Sequence, residues 1–372
     1  MLIEACSLPR EPGKISRLVA EVRDFDSLFL LAQEHGVIAH LATALGEISD
    51  RPTASAFLDS LRVRHRIQLL FTLTMTAELF RILELFRQAQ VETVLVKGPV
   101  LSLRAYGDPA ARQYVDLDLI VRHKDISKTA EVLLAAGYQS RVSAEAIRAE
   151  KIPGEYLFRR PGTQVIFELH TERTFRYFPR PLPVEKYFSN KIAVQLDGQP
   201  VPALSAEDEF VLISIHGAKH FWERLMWISD IAAMTYNCPD LDWQRIQQSA
   251  SDVGAERMVR VALLLAERLL RVPIPEAMKR EVAADAACAN IVANITAWLP
   301  FAGSAAPPLV RRALFRFQMR GNVFAGAGYL ARLSFSTTED DWSADATAPQ
   351  SRFLEMVRRP FRLAKKYRRD PD

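Results

Sequence analysis

The chain changes its hydrophobic period twice, and those two switches constrain its fold more than any other feature. Up to about Gln90 apolar residues recur every three or four positions, as in "SRLVAEVRDFDSLFLLAQEHGVIAHLATAL" and "LRVRHRIQLLFTLTMTAELFRILELFRQAQ". That spacing predicts amphipathic helices. Gly36 predicts a turn inside the first segment, and the second predicts one long helix ending near Gln90. From Val91 short β-branched runs take over. "VETVLVKG" reads as a strand stopped by Gly98-Pro99, "VLSLRAY" as about two helical turns, and "VDLDLIV" as a second strand. "ISKTAEVLLAAGYQ" is an amphipathic helix closed by Gly137. "EYLFRRPGTQVIFELHTE" gives two strands about a Pro-Gly-Thr turn, and "KIAVQLDGQPVPAL" a hairpin turning at Asp-Gly. After Ser205 the helical period returns, opening with the capping pair Ser205 and Asp208. The predicted class is α+β: an N-terminal helical region over 1–90, a small mixed-sheet core over 91–204, and a C-terminal helical domain with a basic tail over 205–372.

Composition narrows the class of function. With 49% hydrophobic and 25% charged residues among 372, the chain can bury a real core. The net charge of +4, from 48 basic against 44 acidic residues, demands no nucleic acid partner. Cys6, Cys238 and Cys288 are odd in number and far apart, which argues against a disulfide framework or a zinc site. "MLIEACSLPREPGK" lacks the apolar stretch of a secretory signal, and no apolar run is long enough to span a bilayer. A soluble, cytoplasmic protein is expected.

Two carboxylates in "VDLDLIV" stand out. Alternate strand residues share a face, so Asp116 and Asp118 lie together, their α-carbons roughly 7 Å apart. Val115, Leu117 and Leu119 are expected on the opposite, core-facing side. The two like charges repel and are costly to bury. A bridging divalent cation removes both problems, and Mg²⁺ (or Mn²⁺) takes one or two carboxylates together with phosphate oxygens and water. Taken alone, an Asp-x-Asp pair is most simply the solvent face of an edge strand. Its surroundings favour the metal. Lys97-Gly98-Pro99 sits at a strand-to-helix turn where backbone amides and the Lys97 ammonium can meet phosphate. Downstream, Ile166, Glu168 and His170 share one strand face, and Glu168 supplies a third carboxylate. His170 reads either as a structural histidine or as one that orients Glu168 or meets metal-bound water. Arg112 is the best phosphate candidate between the turn and the Asp-x-Asp strand, since its fork matches phosphate geometry; Tyr106 reads as packing.

The order strand, Gly-containing turn, short helix, Asp-x-Asp strand and later carboxylate strand resembles the polymerase-beta-type nucleotidyltransferase fold. More closely, "LVKGPVLSLRAYGDPAARQYVDLDLIV", "AAGY", "FELHTE" and "HGAKHFWERLMWISDI" together resemble the uncharacterised nucleotidyltransferase family, often met beside natural-product and polysaccharide biosynthesis genes. The resemblance runs from the N-terminal helices to about Met234. It implies that Asp116 and Asp118 are metal-binding aspartates, that Glu168 is the third carboxylate and that Gly98 is the turn glycine. The superfamily usually follows that glycine with another glycine or a serine. Here Pro99 follows, and it has no amide hydrogen to donate.

In "HGAKHFWERLMWISDIAAM" the residues His216, His220, Glu223, Trp227 and Asp230 fall on one helical stripe. A metal set of His216, His220 and Glu223 is one reading. A packed helix with Trp222, Leu225 and Trp227 in the core is the plain alternative. Between them lies a cleft wall, from which Lys219 or Arg224 reaches a triphosphate and His216 or Asp230 positions the acceptor. The tail from Arg352 to Asp372 carries eight basic against three acidic residues. It fits an anionic membrane or an acidic partner, or, more simply, a solvated terminal helix interrupted at Pro360.

The expected activity is transfer of a nucleoside monophosphate from an NTP to an acceptor hydroxyl or phosphate, with Asp116, Asp118 and Glu168 on the metal and Lys97, Gly98, Arg112 and Lys219 on the nucleotide. The acceptor, whether small molecule, peptide or protein, leaves no mark in the sequence. The alternatives are a non-catalytic nucleotide-sensing or partner-binding protein on the same scaffold, and an antitoxin-like or kinase-like use of the fold.

Overall fold

In the computed structural model the described residues are 1–48, 55–148, 154–174, 180–301, 309–335 and 357–362. The acidic loop at 336–350, the Pro-Pro break at 307–308 and most of the basic tail lie outside them; of the tail, 357–362 is described and is helical. The architecture is α+β. Its N-terminal helices are α1 (Leu2–Cys6), α2 (Pro12–Ala20), α3 (Phe25–Glu34), α4 (Ile38–Gly46) and α5 (Ser55–Gln88). The first helical segment is thus cut more often than its periodicity suggested. Asp24 caps α3 by accepting the Ser27 amide at 2.9 Å, and Gly36, at φ +70°, turns the chain between α3 and α4.

The sheet comprises β1 (Val94–Val96), β2 (Asp116–Ile120), β3 (Gln139–Ser140), β4 (Glu155–Arg159), β5 (Ile166–His170), β6 (Ile192–Leu196) and β7 (Gln199–Ala203). Its order is β3-β4-β5-β2-β1-β7-β6. Strands β2 and β5 run parallel, as do β1 and β7; the other neighbours are antiparallel. Helix α6 (Gly98–Tyr106) follows β1 and α7 (Ile126–Ala135) follows β2. The β6–β7 hairpin turns at Asp197 and Gly198, both at positive φ, as an Asp-Gly turn requires. Two short helices, α8 (Ala144–Arg148) and α9 (Val184–Asn190), were not legible as separate elements.

Strand alternation divides the core. Leu95, Leu117, Leu119, Phe167 and Leu169 point to one face, packed with Met75, Leu79, Ile82 and Phe86 of α5 and with α7 residues. Val94, Val96 and Ile120 point to the other, in one cluster with the N-terminal helices and with α10 (Ala206–Lys219) and α11 (Leu225–Asn237). Val115 departs from the expected pattern. It precedes β2 and is 57% exposed, whereas Leu117 and Leu119 are fully buried.

Helix α10 is apolar over residues 210–215 apart from Ser214, and that stretch is buried on every side. Its buried Asp208 accepts from Ser205 Oγ at 3.1 Å and Ser249 Oγ at 2.7 Å, so the capping pair also anchors α12 (Trp243–Val253). Helices α13 (Glu256–Leu270), α14 (Glu276–Ala284), α15 (Ala286–Trp298), α16 (Leu309–Gln318) and α17 (Val323–Phe335) complete the C-terminal part. Among the described residues no helix is long and apolar enough to cross a membrane.

Candidate active site

The site is built on the register of β2 and β5. Asp118 pairs directly with Glu168, Asp116 with Ile166 and Ile120 with His170. Asp116, Asp118, Glu168 and His170 therefore share the sheet face turned toward α10 and α11. Asp118 Oδ1 lies 2.7 Å from His170 Nε2, and that nitrogen lies 3.6 Å from Glu168 Oε2. Asp118, Glu168 and His170 each offer a ligand atom, all within 4.8 Å of one another.

The turn before α6 brings a cation to the same point. Lys97 has φ 60° and ψ −139°, a region that β-carbon-bearing residues seldom enter, and Gly98 follows at φ +57°. The conformation is held at both ends of the residue. The Lys97 amide donates to Glu209 Oε1 at 3.0 Å, and its ammonium meets Asp118 Oδ2 at 2.7 Å and His216 Nδ1 at 3.2 Å. Glu209 also receives the Arg104 guanidinium, whose second terminal nitrogen donates to the Leu204 carbonyl. Nothing in the sequence singles out Glu209; in the fold it is the buried brace of the turn.

These contacts sort the ionisation states. Burial alone would raise Asp118, but Lys97 and His170 outweigh it and hold the carboxyl well below the usual range. Among the described residues Asp116 has no such direct partner; burial and then the Asp118 charge push it up, against Lys97 and Arg112. Glu168 is pushed up to about 7 by burial, with Glu155, Asp118 and Asp116 adding to the rise against His170. For His170 burial is outweighed by the Asp118 hydrogen bond and charge, so its value rises and Nε2–H donates to Asp118. Burial and the neighbouring Lys97 charge drive His216 well below its ordinary value, so its neutral ring accepts from Lys97.

The remaining candidates are distributed around this centre. Arg112 is buried and donates from Nε to Asp230 Oδ2 at 2.7 Å, while Tyr106 donates to Asp230 Oδ1 at 3.0 Å. Tyr106 is thus more than packing, and Asp230 is engaged in a buried pair. The Arg112 amide is tied to Ser102 Oγ at 3.1 Å. Lys219, in the last turn of α10, has a side chain 46% exposed and lies 3.7 Å from Glu155 Oε1. The stripe from His216 to Asp230 is not one helix. Phe221 and Trp222, both at positive φ, separate α10 from α11, and the Trp222 ring occupies the space that a side chain at Gly217 would take. His216, His220 and Trp227 still meet as a ring cluster, with centroids 4.7 to 5.4 Å apart. Trp222, Leu225 and Trp227 are buried, as the packed-helix reading expected. Among the described residues His216, His220 and Glu223 do not converge as a metal set; Asp118, Glu168 and His170 do.

Two carboxylates and an imidazole within this span fit a divalent cation, and Asp116 stands two residues along the same strand face. Burial, with the Asp118 charge added to it, raises Asp116, and a divalent ion would offset both.

A family model described as "Uncharacterised nucleotidyltransferase" matches residues 21–271. Solved structures similar to the chain include ANT(2")-Ia in complex with adenylyl-2"-tobramycin, at 12% identity over 48% of this chain and 95% of that one, with a TM-score of 0.33. An antigenic nucleotidyltransferase-like protein from Paracoccidioides brasiliensis is similar at 16% identity, over 56% of this chain and 96% of that one, with a TM-score of 0.34. No curated protein matches.

Proposed function

The chain belongs to the uncharacterised nucleotidyltransferase family, and from that premise we propose that it is a metal-dependent enzyme moving a nucleoside monophosphate from an NTP to an acceptor hydroxyl or phosphate. The observation that carries the proposal is the pairing of Asp118 with Glu168 across parallel strands, beside Asp116 and within reach of the Lys97 turn. We assign the divalent ion, Mg²⁺ or Mn²⁺, to Asp116, Asp118 and Glu168. When bound, it supplies charge neutralisation at the phosphate oxygens.

The chain's own residues position and hold protons. The Lys97 ammonium sits between Asp118 and His216, where it can move to a β- or γ-phosphate while Glu209 keeps its backbone fixed. Gly98 and Val100 keep the amides that Pro99 lacks, so the start of α6 offers fewer donors than a glycine-rich turn. Lys219 supports the triphosphate from the α10 end, and Arg112 acts from its Asp230 pair as a fixed positive charge beside Asp116. Glu168, the more exposed of the two paired carboxylates at 23% against 6% for Asp118, is the group suited to take the acceptor's proton. The attacked atom is the α-phosphorus; the bond to pyrophosphate breaks as the bond to the acceptor oxygen forms. Positioning and charge carry most of the rate.

Pro99 and the Lys97–Asp118 pair favour one second reading: a nucleotide-sensing protein that binds without turnover. Incubation with α-³²P- and γ-³²P-labelled nucleotides, Mg²⁺ or Mn²⁺, and an acceptor library separates the readings. Label from the α position should reach an acceptor; label from γ alone indicates a kinase, and binding with no transfer indicates a sensor.

A further inference from the structure

Away from the carboxylates, a group of arginines gathers at the break between α10 and α11. We infer that Arg312 and Arg316 of α16, with Arg224 at the start of α11, form a binding site for a phosphate group, and that the acceptor carries that group. The anion site stands apart from nucleotide transfer, while its assignment to the acceptor rests on the reaction proposed above.

Three observations carry it. First, the platform is fixed. Phe221 is buried at positive φ, its ring lies 5.2 Å from that of Phe315, and its carbonyl accepts from Trp298 Nε1 at 3.1 Å. Arg312 and Arg316, one helical turn apart, lay their guanidinium carbons 5.4 and 5.0 Å from the centre of the Phe221 ring. Arg224 is exposed and lies 5.8 Å from the centre of the Trp227 ring. Second, these charges are uncompensated. Among the described residues no carboxylate forms an ion pair with Arg224, Arg312 or Arg316, and Nε of both α16 arginines is buried without a hydrogen-bond partner. In the same helical part Arg257 and Arg260 pair with Asp285, and Arg271 pairs with Glu4. Glu223 lies in the field of Arg312 and Arg224, but burial outweighs both and raises its value, so it neutralises neither. Third, the corner adjoins the site. His220 precedes Phe221 in the chain and packs on His216 with ring centres 4.7 Å apart, and His216 Nδ1 is 3.2 Å from Lys97 Nζ.

Donor type then decides the ligand. Stacking fixes the planes of the two guanidinia and leaves their terminal donors to an anion. Planar forks match phosphate oxygens in pairs, and two forks one turn apart suit a doubly charged group better than a lone carboxylate. The Lys97 turn and Lys219 serve the triphosphate, so the phosphate at this corner is the acceptor's.

The test is calorimetric titration of the full chain with inorganic phosphate at low salt, the nucleotide site being filled by a non-hydrolysable NTP and Mg²⁺. Wild type should bind phosphate. Arg312→Gln with Arg316→Gln should weaken that binding by about tenfold or more, and Arg224→Gln by about threefold, with NTP affinity unchanged in both. Arg224→Gln alters an exposed side chain, so it decides the matter even where the double variant folds poorly. No phosphate binding by wild type, or wild-type affinity in either variant, overturns the site. An equal loss of NTP affinity in the double variant gives the corner to the triphosphate and overturns its assignment to the acceptor. In an acceptor library wild type should prefer phosphate-bearing members to their dephosphorylated counterparts by about tenfold, and the double variant should not; equal use by wild type overturns the same assignment. Phosphate binding at the corner of a protein that transfers no nucleotide overturns the proposed reaction and leaves the anion site standing. Transfer by a chain that binds no phosphate there does the reverse.

Discussion

The Lys97 ammonium lies 2.7 Å from Asp118 Oδ2, so a buried cation from the α6 turn meets the buried carboxylate of β2. Both side chains are mostly hidden from water, at 14% and 6% exposure, so each depends on the other for solvation. Lys97→Met should therefore destabilise the fold by about 3 kcal/mol, because it leaves a buried carboxylate with His170 as its one remaining partner among the described residues. It should also weaken NTP binding. Urea unfolding and equilibrium binding check the two effects; an unchanged midpoint contradicts the first, unchanged affinity the second.

The Arg112–Asp230 pair predicts a second loss of stability. Both side chains are at or below 5% exposure, and Tyr106 completes the carboxylate's contacts. Asp230→Asn keeps the shape but strands the guanidinium, at a cost of about 3 to 5 kcal/mol. A cost below about 1 kcal/mol in chemical denaturation would show that the guanidinium finds other partners.

How far the sequence disclosed this arrangement depends on the range of the signal. Asp116, Asp118 and Glu168 were legible because period-2 alternation assigns a face from local sequence alone, and the strand-turn-helix around Gly98 was legible from its β-branched run and glycine. The parallel register that sets Asp118 against Glu168 joins strands 50 residues apart, and nothing local encodes it. Glu209 carries no sequence signal of its own, since helix-start patterns do not reveal that Lys97 and Arg104 will meet it. The stripe from His216 to Asp230 misled because the break at Phe221 and Trp222 uses two non-glycine residues at positive φ, with no glycine or proline to announce it.

His40 predicts a pH dependence of stability. It is buried with neither ring nitrogen hydrogen-bonded among the described residues, its ring edge-on to Tyr106 at 5.1 Å. Burial, aided by Arg10 and Arg112, lowers its value to about 4 from an ordinary 6.5. Between those values the unfolded chain binds a proton that the folded one refuses, so stability falls as pH drops from 6.5 toward 4. At about 1.4 kcal/mol per pKa unit the loss is on the order of 3 kcal/mol. His40→Phe should flatten this part of the unfolding profile. Parallel profiles for wild type and variant would contradict it.

Lys219 carries a smaller prediction. It is partly exposed and 3.7 Å from Glu155, so its pull on a triphosphate is screened and flexible. Lys219→Ala should weaken NTP binding a few-fold at low salt, with the difference shrinking as salt rises. Equal affinities at low ionic strength would remove Lys219 from the nucleotide site.

The central assignment is the carboxylate pair on β2. Asp116→Asn with Asp118→Asn keeps the volume of both side chains and removes the charges that would hold the ion. The most direct measurement is transfer of α-³²P label by this double variant and by wild type, with Mg²⁺ or Mn²⁺, once circular dichroism shows that both fold. Wild type should transfer label, and the variant should fall by at least about 10³-fold. Transfer by the variant within about tenfold of wild type would contradict a role for Asp116 and Asp118 in the reaction.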